Sequence, residues 1–175
     1  MALIINSSNN KKIMNLNLVI FGDYKVGKTF LSSTVPDALV MSVEDGMLSV
    51  AGKGVDYLDC KDMRTAKEIV NAVKTNPDFK KYKWLFLDTV TEFGQLLYPV
   101  IREKHEQRAK ENKSKGADGR QVWGEFAESI GLLVKAMRGL DLNIVILASS
   151  TQKEDDQNKI FNAPDIYGQS SSRMV

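Results

Sequence analysis

Five short apolar runs punctuate the chain: Leu16 to Phe21, Ala38 to Val43, Gly54 to Leu58, Trp84 to Asp88 and Asn143 to Ala148. Most are continuous rather than alternating, as expected for strands buried on both faces of a parallel sheet. Between them the spacing changes. Ala66, Ile69, Val70 and Val73 recur at helical intervals and predict a helix over Thr65 to Lys74. A second helix is predicted from about Glu92 to Asn112, with a bend near Pro99, and a third from Val122 to about Leu140. In the third, Trp123, Phe126, Ile130, Leu133, Val134 and Met137 follow one face and read as core. A short helix is predicted from Lys28 to about Thr34, stopped by Pro36. Strands alternating with helices predict an α/β fold, a three-layer α/β/α arrangement with a mainly parallel central sheet covered on both faces.

The ends are different in kind. Ala2 to Ile5 is a small apolar run on a polar tether, Asn6 to Lys12, and everything after Ser149 is polar and poor in core-forming residues. The expected division is a tether over 1–12, a core over 13–168 and a flexible tail over 169–175. At 175 residues the chain is long enough for one domain with a proper core. A net charge of +2 predicts no strong global attraction to nucleic acid, so any such contact must come from a local patch. The single cysteine, Cys60, excludes an internal disulfide and suits a reducing compartment. No apolar run approaches the roughly 18 residues of a membrane helix, and MALIINSSNNKK lacks the form of a signal peptide. The expectation is a cytoplasmic protein with no membrane partner.

The candidate chemistry follows the first strand. Gly22, Gly27, Lys28 and Thr29 match GxxxxGK[ST], with a predicted strand before and a predicted helix after. The glycines let the backbone curl so that successive N–H groups point at phosphate oxygens, and the positive end of the helix adds to them. Lys28 would neutralise the β- and γ-phosphates, and the Thr29 hydroxyl would ligate Mg²⁺. The nucleotide-binding set is Gly22, Asp23, Tyr24, Lys25, Val26, Gly27, Lys28, Thr29 and Phe30. A metal on this loop needs a carboxylate from the end of a neighbouring strand, and Asp88 closes WLFLD. The alternative for Asp88 is a helix N-cap. Hydrolysis also needs a group to orient water. Glu44 follows the second strand in MSVEDG, with Asp45 as its competitor. Gln152 follows the fifth strand and could feel the γ-phosphate or be an exposed loop amide.

With these sites in chain order, the sequence resembles the RecA-like branch of P-loop ATPases. More narrowly it resembles phage ATP-binding proteins of the single-strand annealing type. The residues that carry the likeness are GDYKVGKT at 22–29, VEDG at 43–46, LFLDT at 85–89 and ASSTQKED at 148–155. The resemblance implies ATP and Mg²⁺ as ligands. It makes Glu44 the catalytic glutamate, Asp88 the metal-linked aspartate and Gln152 the glutamine coupling nucleotide state to DNA. It implies a fifth strand between the phosphate-loop strand and the aspartate strand and further strands beside the phosphate-loop strand; against that pattern the expectation here is a core shortened at its C-terminus, or an edge covered by another chain. The implied partners are single-stranded DNA, further copies of the chain with nucleotide near a subunit interface, and a single-strand binding protein. The setting would be a bacterial host cytoplasm.

Two loops would face DNA, near residues 102–121 and 153–167. From Arg102 to Arg120 there are seven Lys or Arg against four Asp or Glu, which suits phosphate contact or a plain solvated helix end. The second loop carries Glu154, Asp155, Asp156 and Asp165 against Lys153 and Lys159 and should repel phosphate, although Phe161 and Tyr167 could stack on bases. Two rival readings stay open. One is a small-molecule or nucleoside kinase with Arg102, Arg108 or Arg120 in a lid, and the other is a nucleotide-binding scaffold without turnover. A GTPase is disfavoured because NKIF at 158–161 lacks the final Asp of the guanine-reading motif.

Overall fold

The computed structural model describes residues 15–44, 46–113, 116–155 and 157–166. The expected tether, the whole of the expected tail, Asp45, Lys115, Asp156 and Tyr167 lie outside them. Six strands form one sheet: β1 (Asn17–Gly22), β2 (Ala38–Ser42), β3 (Asp56–Asp59), β4 (Trp84–Asp88), β5 (Asn143–Glu154) and β6 (Ile160–Asp165). The order is β1-β5-β4-β2-β3, all parallel, with β6 running antiparallel along the far half of β5. The fifth strand therefore lies between the phosphate-loop strand and the aspartate strand, as the resemblance implied.

Among the described residues there are three α-helices: α1 (Met63–Thr75), α2 (Val90–Glu111) and α3 (Gly119–Arg138). All three pack on one face. Leu39 and Met41 of β2, Leu85 and Leu87 of β4, and Ile144 and Ile146 of β5 point to that face. There they meet Ile69 of α1, Phe93 of α2, and Phe126 and Met137 of α3. The alternate residues Val40, Phe86, Val145 and Leu147 face the other way and meet Leu31 and Met47 from short 3₁₀ helices at Thr29–Thr34 and Gly46–Val50, with Ile20, Val35, Val55 and Trp84 around them. The asymmetry follows from handedness. Right-handed crossovers that step from β1 to β2 to β3 run over one face, and those that return from β3 to β4 to β5 run over the other. The outward connections are short and make a thin layer; the return connections carry every α-helix.

Pro99 does not end α2, which continues through it to Glu111; the ring removes one backbone donor and crowds the preceding turn. At the edge of the sheet β1 keeps Leu18, Val19 and Phe21 exposed. The segment after Ser149 corrects the expectation of a polar loop over 153–167. β5 continues to Glu154, residues 160–165 pair back along it, and Ala163 and Ile166 are buried.

α2 leaves the C-terminal end of β4, and α3 must return to the N-terminal end of β5. The two helices pack on each other: Tyr98 stacks on Trp123 at 4.3 Å between centroids, and Lys104 and His105 both reach Glu125. The β5–β6 hairpin extends past the C-terminal edge of the sheet, beyond the Gly22–Ser149 pair that ends β1.

Candidate functional site

β1 ends at Gly22 and the chain turns back on itself before the 3₁₀ helix begins at Thr29. Two features make that turn possible. Gly27 has φ 97° and Lys25 φ 65°, both in the left-handed region, where glycine alone is unstrained. At Gly22 a Cβ would stand 3.2 Å from the Val26 side chain, so the backbone passes where a larger residue would crowd it. Lys28 Nζ reaches back across the curl and donates to the carbonyls of Gly22 and Asp23, each at 2.8 Å. Leu31 N–H donates to the carbonyls of Gly27 and Lys28. Ser150 of β5 hydrogen-bonds the Asp23 carboxylate and ties the loop to the neighbouring strand. The helix that follows is a six-residue 3₁₀ turn, so anion binding here rests on the loop amides and Lys28 more than on a macrodipole.

β4 delivers Asp88 to the same place. Thr29 Oγ1 donates to Asp88 Oδ2 at 2.6 Å. The carboxylate is buried, and that burial raises its pKa above the ordinary aspartate value against the opposing pull of the Thr29 hydrogen bond and the Lys28 charge. The N-cap alternative for Asp88 is answered by its neighbour: Thr89 caps α2, its Oγ1 accepting from Glu92 N at 3.2 Å. The Asp88–Thr89 peptide is cis.

Tyr24, Lys25, Gly27, Lys28, Thr29 and Phe30 from the loop line one cleft of about 390 Å³. Glu44, Asp88 and Thr89 close it from the neighbouring strand ends. Asp23, Gly22 and Val26 shape the loop from behind. Glu44 is partly desolvated, and burial, followed by the negative charges of Glu92 and Asp88, raises its pKa; Lys28 opposes them. Gln152 is elsewhere: it sits three residues beyond Ser149, exposed on the outer half of β5 opposite Asn162.

Besides Gly46 and Thr89, which also line the cleft, three residues at the site were not among those expected. Ser149 is buried at the end of β5 and lines the cleft, its N–H donating to Thr91 Oγ1 at 2.9 Å. Ser49 of the short helix after β2 closes the opposite wall. Glu92, on the first turn of α2, accepts a hydrogen bond from the Tyr24 hydroxyl at 3.2 Å. Thr89 and Glu92 have the T-x-x-E spacing of a capping box, which signals a helix start but not a reach across to the phosphate loop.

A hydroxyl and a carboxylate oxygen 2.6 Å apart beside a curled amide loop are hard oxygen donors of the kind Mg²⁺ takes. Among the described residues no three His, Cys, Asp or Glu side chains converge as a metal-holding group. No helix among the described residues is long and apolar enough to cross a membrane.

Two comparisons bear on this geometry. The family model AAA_24, an AAA domain, matches residues 14–174. Over 147 residues the chain is 22% identical to the SPbeta prophage-derived uncharacterized protein YorG of Bacillus subtilis (strain 168). That match takes in 82% of this chain and 43% of the relative, so the chain spans less than half the relative's length.

Proposed function

Because the chain belongs to the AAA domain family, which is P-loop NTPase-like, we propose that it binds ATP with Mg²⁺ and hydrolyses the β–γ phosphoanhydride. The observation that carries this reading is the meeting of Thr29 and Asp88 at 2.6 Å beside the curled loop and Lys28. The loop amides and the Lys28 ammonium take the phosphate oxygens. Thr29 and Asp88 hold the ion, which when bound neutralises charge on the β- and γ-phosphates. Glu44 takes the proton of the attacking water, and its raised pKa makes it a better base near neutral pH than an ordinary glutamate. Glu44→Gln tests the assignment by phosphate release. Hydrolysis should fall by about 100-fold or more while ATP affinity stays within about twofold; unchanged turnover removes Glu44 from the chemistry.

We propose further that the bound nucleotide tunes contact with single-stranded DNA, in a cytoplasmic assembly of several copies of the chain acting in phage recombination, alongside a single-strand binding protein. The support is positional. The segment joining α2 to α3 is basic, with Arg108, Lys110 and Lys113 at the end of α2 and just beyond it. The β5–β6 hairpin leaves the sheet edge that bears the cleft with Gln152 on it, three residues beyond Ser149 in the cleft. That the relative is prophage-derived accords with a phage setting. The exposed apolar residues on β1 suit a subunit contact.

A further inference from the structure

Glu92 stands at the rim of the cleft without lining it, and the phosphate-loop motif assigns it no role. Its position on α2 is fixed by Thr89, whose side chain caps the helix at Glu92 N. A glutamate at this third helical position ordinarily folds back onto the N-cap N–H to close a capping box. Here its carboxylate turns outward. One oxygen takes the Tyr24 hydroxyl at 3.2 Å, and its negative charge is felt by Glu44. Tyr24 is on the phosphate loop, Glu44 at the end of β2 and Glu92 on the helix after β4, so one side chain joins three elements of the site.

Resting on the ATPase reading above, we infer that Glu92 is a positioning residue that holds Glu44 as the proton acceptor and anchors the phosphate loop through Tyr24. A negative charge beside Glu44 disfavours the ionised form of Glu44. The groups facing Glu44 are Glu92 on α2, Asp88 on β4, Lys28 and Tyr24 on the phosphate loop. Of these only Lys28 favours its charge, while Glu92 opposes it more strongly than Asp88 does. Tyr24 feels the same pair: its hydroxyl is held protonated chiefly by the Glu92 charge, with Glu44 adding to the effect. Burial raises the Glu44 pKa most, and the negative field of Glu92 adds to it, so Glu44 grips a proton more firmly, which is what a base must do when water attacks the γ-phosphorus. In that step the new O–P bond forms, the bond from phosphorus to the β–γ bridging oxygen breaks, and the water proton passes to the Glu44 carboxylate. ADP and inorganic phosphate leave, and Glu44 returns the proton to solvent.

The test compares Glu92→Gln and Glu92→Asp with the parent chain in phosphate release from ATP and Mg²⁺ across pH 4.5 to 8.5. ATP titrations and thermal melts run in parallel. Glu92→Gln removes the charge and keeps the shape, so Glu44 loses its neighbour's repulsion. The acid limb of the profile should move to lower pH, and turnover at pH 7.5 should fall roughly 3- to 10-fold with KM changed less than twofold. Glu92→Asp keeps the charge but draws it back from Tyr24 and Glu44, so its acid limb should lie between the other two; it also serves if the glutamine variant does not fold. An acid limb that stays where it is in both variants overturns the inference, whatever the turnover. If the parent chain itself neither binds nor hydrolyses ATP, it is the functional reading that fails, and the two outcomes are distinct.

Discussion

Asp88→Asn should stabilise the free protein and remove its response to Mg²⁺ and ATP. Asp88 is 8% exposed and its side chain has one neutral donor, the Thr29 hydroxyl at 2.6 Å. A carboxylate in water satisfies about four lone-pair sites, so most of its hydration is lost on folding. Burial outweighs the hydrogen bond and the Lys28 charge, and the folded carboxyl holds its proton more tightly than the unfolded one. Its contribution therefore favours folding at low pH, is lost as pH rises through the raised folded value, and is a net cost at neutral pH. Asparagine keeps the shape and the acceptor for Thr29 without the charge. Removing the penalty should contribute about 1 kcal/mol, or about 2–4 °C in Tm for a chain of this size. The parent chain has the opposite advantage when ligand is present: saturation to 100 times Kd adds about 2.7 kcal/mol, and the variant should gain little. Thermal melts at pH 7.5, with and without 5 mM Mg²⁺ and ATP, should cross, with the variant higher alone and the parent higher with ligand. A free variant that melts below the parent, or one that gains as much from Mg²⁺ and ATP, refutes the reasoning.

Gly27→Ala forces a Cβ onto a residue at φ 97° and should cost about 1–2 kcal/mol of stability, with weaker ATP binding in a calorimetric titration. Phe126→Ala opens a cavity beneath α3, where the ring is fully buried, and should cost about 3–5 kcal/mol in urea denaturation. Charge reversal at Lys110 and Lys113 should weaken binding to a short single strand in fluorescence anisotropy and flatten its salt dependence. Equal affinity and an equal salt slope would make this turn a solvated face.

Elements whose residues reveal their burial were legible, and those held by backbone pairing were not. WLFLD reads as β4 with its true bounds because four of its five side chains are buried, and the helical faces of α1 and α3 announce themselves through Ile69, Val70, Phe126 and Ile130. The outer half of β5 and all of β6 are different. Gln152, Lys153 and Glu154 are exposed, and so are Ile160 and Phe161, so the ladder forms without an apolar pattern to betray it. The one-sided placement of the α-helices was hidden for another reason: it depends on strand order, which periodicity does not encode. In the site, the phosphate loop and Asp88 were legible because phosphate and metal chemistry demand fixed residue types at fixed spacing. Glu92 and Ser149 were not, since each reaches the cleft only when β4, β5 and the loop come together.

The most direct measurement is calorimetric titration of the folded chain with ATP in the presence of Mg²⁺. The account predicts saturable binding at one site per chain that is abolished by Lys28→Ala and sharply weakened without Mg²⁺. Binding that persists unchanged in Lys28→Ala, or no heat and no thermal shift with the parent chain, would contradict it.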